Sequence, residues 1–403
     1  FILGHYCDSY YGAIMSSRGH SRNRYGWLQN SRFVAQLPFD LMLNEQQLFS
    51  SFDDHEFTEF MLKYHESLLP SSCEQQALTT LVNRLCEAID SVIVNPTGTL
   101  AGQIEEVRPV GSFKLGTWLA GHDTAEVVVV TRAPPTADVI KNIKSYVEDR
   151  FASDKSEKFA VDTQFYGFSV TVGSSIARVF VSTTPANLSK NNSESFSTKP
   201  CNSEICSGCN KANTLAGRKG FSHHVMLIES AFIHIHFRVK VLIRIVKHFR
   251  RRFKGFQYLS SWMINLLAVY AVTQNITPQP LPINLAFRRF LQLLSSGMLV
   301  PGSVGLVDPC EPGALRLHSC ISLSEQDELC CTAQTLLRSL IHGAHEILFT
   351  FDEYAEGASS EQFLQCVSAK CGLDIKWSEP AFIPENAQTT GVYITESAQV
   401  TAV

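Results

Sequence analysis

The stretch Val110-Gly111-Ser112-Phe113, followed after a short spacer by Gly121-His122-Asp123-Thr124-Ala125-Glu126-Val127-Val128-Val129-Val130, decides the reading of the fold. A Gly-Ser turn at the end of a strand lets backbone N–H groups and a hydroxyl come close to a triphosphate. A D-x-D or D-x-E pair on the next strand puts two carboxylates on one face, because strand side chains alternate with a period of two. With a third carboxylate from a neighbouring strand, such a pair holds the two magnesium ions of phosphoryl transfer. Gly-Ser alone is weak evidence. Gly-Ser, a spacer and an acid just ahead of an apolar strand form a more specific signature.

The flanking sequence supplies the elements this motif needs. Residues 103–110 read as a strand, and 125–131 as an unbroken apolar run suited to a buried central strand. Upstream, Leu78, Leu81, Val82, Leu85, Ile89 and Val92 recur at helical spacing and predict a helix over 74–94, capped by Ser71 or Ser72. Residues 38–54 read as an extended lead-in. Pro134, Pro135 and Thr136 break the chain and open a helix to about 151, after which strands are expected near 168–172 and 176–182. This order describes a small mixed α/β lobe. From 224 the pattern turns helical, with helices predicted at 224–237, 239–253, 259–273, 282–296 and 323–342. Gly255, Pro278-Gln279-Pro280 and Pro301-Gly302 separate them. The fold class is therefore α+β and two-lobed, the second lobe all-helical. Residues 349–403 form a weakly patterned C-terminal extension, with 380–403 reading as a loose tail.

Composition is compatible with that division. The 403 residues are 45% hydrophobic, enough for two cores, and contain no apolar run long enough to cross a bilayer. A formal charge of -4 excludes a global nucleic-acid signal, so any basic surface must be local. Twelve irregularly spaced cysteines, with Cys330 and Cys331 adjacent, suit a reducing compartment. Residues 1–14 lack signal-peptide features, and Met15 reads as a start, opening the arginine-bearing run Ser16-Ser17-Arg18-Gly19-His20-Ser21-Arg22-Asn23-Arg24. Residues 1–37 are expected to be a disordered tail whose arginines either touch RNA or stay solvated. Residues 190–222, rich in Ser, Asn, Lys and Gly, read as a flexible insertion. Cys201, Cys206 and Cys209, with His223 or His224, could supply four zinc ligands, but the spacing is poor and a solvated insertion is the preferred reading.

The segment 238–254 carries eight Lys/Arg residues and no acid. Lys240, Arg244, Lys247 and Arg251 recur at three- and four-residue steps, while Val239, Leu242, Val246 and Phe249 form an apolar seam. The basic stripe either follows nucleic-acid phosphates or is a solvated face, or lines the cleft between the lobes. Arg250-Arg251-Arg252 lies between Phe249 and Phe253, which argues for a packed run over an import signal.

Several motifs carry a family resemblance. Gln103-Ile104-Glu105-Glu106-Val107-Arg108, Val110-Gly111-Ser112, Val239-Lys240-Val241-Leu242-Ile243-Arg244 and Leu299-Val300-Pro301-Gly302-Ser303-Val304-Gly305 resemble the DZF domain. So do Val307-Asp308-Pro309-Cys310-Glu311 and Thr332-Ala333-Gln334-Thr335-Leu336-Leu337-Arg338. The resemblance covers 38–348 outside the insertion: 38–189 as a nucleotidyltransferase-like lobe and 223–348 as a helical lobe. It implies a catalytically inactive relative of the template-independent nucleotidyltransferases. It also implies a heterodimer, formed through helices 282–342 with a larger DZF partner bearing double-stranded-RNA-binding domains. The implied setting is the nucleus, with the nucleolus and some cytoplasm included. The implied roles are binding of RNA and of DNA, RNA processing and transcription regulation, with no membrane partner.

The acids of the motif bear on that implied inactivity. Active relatives place the first carboxylate two residues before the second. Glu126 fits the second place, Thr124 occupies the first, and Asp123 is one residue out, on the opposite face of a regular strand. The third place aligns with Arg178, in the acid-free strand Ile176-Ala177-Arg178-Val179-Phe180-Val181. One carboxylate of three does not hold two divalent cations, so no catalytic residue and no metal are expected. Gly111, Ser112, Glu126 and Arg178 then line either a vestigial cleft with a residual Glu126–Arg178 ion pair, or a cleft that holds ATP or UTP without turnover. The alternative is an active transferase using Asp123 and Glu126, rescued by a bulge before the strand.

Overall fold

The computed structural model describes residues 54–372, apart from 97–99, 154–157, 165–166, 185–186, 188–236, 275–278, 304, 309–315 and 356–357. The expected tail 1–37, the insertion 190–222 with Cys201, Cys206 and Cys209, and the loose tail 380–403 lie outside the described residues. So does the helix predicted at 224–237, except for its last residue.

Helix α1 (Asp54–Ser67) is followed by α2 (Ser72–Val94). Ser71 starts α2 through a full capping box: its hydroxyl accepts from Glu74 N while the Glu74 carboxylate accepts from Ser71 N. The chain then forms β1 (Ile104–Val110), a single-turn helix α3 (Gly111–Leu115) and β2 (Thr124–Thr131). Helix α4 (Ala137–Ser153) leads into β3 (Phe159–Gln164), β4 (Gly167–Val172) and β5 (Ser175–Thr183). The sheet order is β1-β2-β5-β4-β3, with β2 and β5 parallel and every other pair antiparallel.

Pleating sorts β2 into two faces. Ala125, Val127 and Val129 join Leu78, Leu85 and Ile89 of α2 and Ile143, Val147 and Phe151 of α4 in one core. Val128 and Val130 face the other way, against Val110 and Phe180. Glu126 shares that second side. Full burial of each such valine contributes about 1.5–3 kcal/mol, enough to fix the register and with it the position of Glu126.

The helical body contains α5 (Phe237–Arg252), α6 (Ser261–Thr273), α7 (Ile283–Ser295), α8 (Leu323–Ile341), α9 (His345–Thr350) and α10 (Ser360–Cys371). Its core is separate from that of the sheet and includes Phe57 and Met61 of α1, which packs on α5 and α7. Leu115 and Leu119 of the α/β lobe reach into it and join the two bodies. Among the described residues no helix is long and apolar enough to cross a membrane.

Four features depart from the sequence reading. Helix α1 occupies residues for which no element was read, because the partners of its stripe Phe57, Phe60, Met61 and Tyr64 lie far along the chain; the extended lead-in expected at 38–54 lies outside the described residues except for Asp54. The edge strand β3 escaped notice because Phe159 and Val161 are only half-buried. The Gly-Ser turn is one turn of helix. The helical body continues past 348, with Phe363 and Val367 of α10 fully buried in it.

Candidate functional site

The end of β1 brings Val110 into register with Glu126 of β2, and Glu126 is in turn in register with Arg178 of β5. Paired residues of neighbouring strands project to the same side, so Glu126 and Arg178 stand next to each other on that face. Gly111 turns the chain out of β1 at φ +63°. A β-carbon there would collide with Glu126 Oε2. Positive φ and close approach therefore both demand glycine at this position. Burial raises the Glu126 pKa, while Arg178 and Lys247 pull it back down.

Lys247 comes from the other lobe. It is buried on α5, and its Nζ donates to Ser112 Oγ at 2.7 Å, Thr117 Oγ1 at 3.1 Å and Thr117 O at 3.2 Å. Burial first, and Arg250, Arg244 and Arg251 after it, lower its pKa to about 7, with Glu126 opposing. Arg244, one turn earlier, donates to His65 Nε2 at 2.7 Å and also to Gly116 O. Lys240 reaches the same loop, with Nζ 4.0 Å from where a β-carbon on Gly116 would lie. Three members of the basic stripe, Lys240, Arg244 and Lys247, are thus turned onto segment 112–117, and the fourth, Arg251, is exposed.

The neighbouring arginines have structural partners. Arg250 donates to Leu259 O at 2.9 Å. Arg252 is buried and donates to Tyr64 Oη and to Phe349 O, both at 2.8 Å, satisfying the end of α9.

Two residues beside the motif were not singled out from sequence. His122 is exposed in the loop before β2, with a pKa lowered by desolvation and then by Arg251, Lys247, Arg178 and Arg250, cations contributed by both lobes. Thr117 receives Lys247 across the lobes, a contact with no local sequence signal. The loop that carries His122 is tied back by Glu74, whose Oε1 accepts from Gly121 N at 3.0 Å. Asp123 precedes β2; its carbonyl accepts from Ile176 N at 2.7 Å, and its Oδ1 is buried without a hydrogen-bond partner. Among the described residues no group of three or more His, Cys, Asp or Glu side chains gathers as a metal site.

The structure is similar to that of CdnC from E. coli MS115-1, solved with ATP, at 15% identity and a TM-score of 0.50 over 79% of this chain and 98% of that one. Cid1 in complex with its short product ApU matches at 13% identity and a TM-score of 0.48, over 74% and 98%. The fold is that of the nucleotidyltransferases, with a mixed-sheet lobe and a helical lobe. In sequence, residues 24–207 match the DZF N-terminal domain and residues 238–367 match the DZF C-terminal domain. With both halves of that domain matched in order over most of its length, the chain belongs to the DZF family.

Proposed function

We propose that this chain is a non-catalytic protein of nucleotidyltransferase fold that holds a nucleoside triphosphate, ATP or UTP, between its lobes without turning it over. It works as one subunit of a heterodimer with a larger DZF protein bearing double-stranded-RNA-binding domains. Its setting is the nucleus, with some nucleolar and cytoplasmic presence, and its roles are RNA and DNA binding, RNA processing and transcription regulation.

One observation carries the non-catalytic reading: Glu126 has Arg178 beside it in register, and Lys247 is buried over Ser112. Magnesium does not fit this donor set. Each ion takes about six oxygen ligands in octahedral geometry and is drawn to clustered carboxylates, whereas the Arg178 guanidinium next to Glu126 repels a divalent cation and attracts phosphate. The ATP of the CdnC structure supports the choice of ligand class. Exposed Arg178 and Arg251 offer positive charge at the cleft mouth, which suits phosphates of a nucleotide or an RNA end.

The test incubates the purified chain with RNA, magnesium and labelled nucleoside triphosphates. No incorporation is expected. Incorporation that disappears in Glu126→Ala overturns the reading and favours the alternative, an active transferase using Asp123 and Glu126, to which the unpartnered Asp123 Oδ1 lends its one support. ATP or UTP should raise the melting temperature, because a ligand of the folded state alone stabilises it. For the heterodimer, affinity purification from cells should recover a second DZF protein. Recovery of the chain without one defeats that half of the proposal.

A further inference from the structure

We infer that the cleft takes its triphosphate free of divalent metal, with the Arg178 guanidinium and the Lys247 ammonium supplying the positive charge that paired magnesium supplies in active enzymes of this fold. This rests on the nucleotide reading above and specifies the ionic form of the ligand.

The geometry argues for it at three points. Arg178 occupies, next to Glu126 and on the same face, the register position where a third acid would complete a metal site, and it is exposed to an incoming ligand. Lys247 brings its charge from the opposite lobe to the hydroxyl of the Gly-Ser motif. Its hydrogen-bond partners are two hydroxyls and a carbonyl, so no bonded carboxylate cancels that charge. Glu126 has its Oε2 packed against Gly111, at the backbone of the turn, while of the other acids in register on this face Glu106 is paired with Arg108 and Asp162 lies out on the edge strand β3. Phosphate oxygens arriving at Ser112 therefore meet cations from both lobes, with Arg251 and His122 nearby. A magnesium chelated to those oxygens would carry like charge into the same space and would cancel much of the negative charge that the cations attract.

The experiment is calorimetric titration of the purified full chain with ATP, once in excess EDTA and once in excess magnesium. ATP should bind in EDTA at least as tightly as in magnesium. Arg178→Asp, an exposed change checked for folding by its unfolding transition, should weaken binding in EDTA by about tenfold or more, the loss expected for one charge-assisted contact. The same variant should bind more tightly when magnesium is added, since it restores an acid beside Glu126. Binding by the native chain that needs magnesium overturns the inference and leaves the nucleotide reading standing. Binding in EDTA that Arg178→Asp does not change overturns the assignment to this face. Absence of binding in both solutions overturns the nucleotide reading itself.

Discussion

Gly111 and Glu126 constrain each other, because the carboxylate lies where any larger residue would put its first side-chain atom. Gly111→Ala should therefore destabilise the chain by about 1–2 kcal/mol from the left-handed backbone alone, with the collision adding to that. In urea unfolding, Gly111→Ala combined with Glu126→Ala should recover the collision part and leave the backbone part, a non-additivity read by a double-mutant cycle. Lys247 carries a second prediction. Its pKa is about 7 in the folded chain against the 10.5 of an ordinary lysine. The unfolded chain therefore holds the extra proton between those values, so this group makes stability rise with pH across that window. Lys247→Met should flatten the rise in melting temperature from pH 7 to 10. A bound phosphate favours the charged lysine, so triphosphate affinity should fall as pH climbs through 7, and less so in Lys247→Met. The Glu126–Arg178 neighbourhood was legible in the sequence, since two parallel strands with clear apolar runs leave little freedom of register. The bond from Lys247 to Ser112 was not, since it spans 135 positions and depends on how the lobes meet.

Helices and strands with a one-sided apolar pattern were legible to within a residue or two. Helix α2 keeps the stripe Leu78, Leu81, Val82, Leu85, Ile89 and Val92, all buried, and its start is set by the capping pair Ser71 and Glu74. Elements whose apolar residues find their partners far away were harder to read. Helix α1 shows the cost: Phe57 is fully buried and meets the rings of Phe287, at 6.3 Å, and Phe349, at 6.1 Å, centroid to centroid. Phe57→Ala should lose about 3–5 kcal/mol, the usual cost of emptying a phenylalanine site in a core. Chemical unfolding followed at the helical body would measure it. A loss below about 1 kcal/mol, the scale of a surface change, would place α1 outside that core. The basic stripe of α5 was legible as a stripe, but its direction was not. Periodicity gives a helix its faces without saying which neighbour each face meets.

At the scale of the whole molecule, α1 is joined to α5 by groups that should stay uncharged in the folded state. His65 of α1, against Arg244, and His248 of α5, which pairs with Tyr64 Oη at 2.6 Å, both have pKa values lowered to about 4 by burial first and then by a neighbouring arginine. The unfolded chain takes up these protons near 6.5, well before the folded one does. Their contribution is therefore intact above pH 6.5 and lost as the pH falls toward 4. Melting temperatures between pH 7 and 4 should drop steeply, and His65→Gln should make the drop shallower. A profile unchanged by that substitution would remove His65 from the account. The two-lobed division itself was legible from the change of apolar period between the strands of the sheet and the helices that follow. The exception is the crossing of α1 into the far lobe, which no local pattern encodes.

That crossing has a consequence for biogenesis. During synthesis α1 leaves the ribosome before Phe287 and Phe349, the phenylalanines that bury Phe57, are made. The sheet lobe can condense while the chain is still growing, but α1 must wait with its greasy side uncovered until α7 and α9 emerge. A slow step late in maturation, and an appetite for chaperones that shield an early helix, are built into the order of the gene.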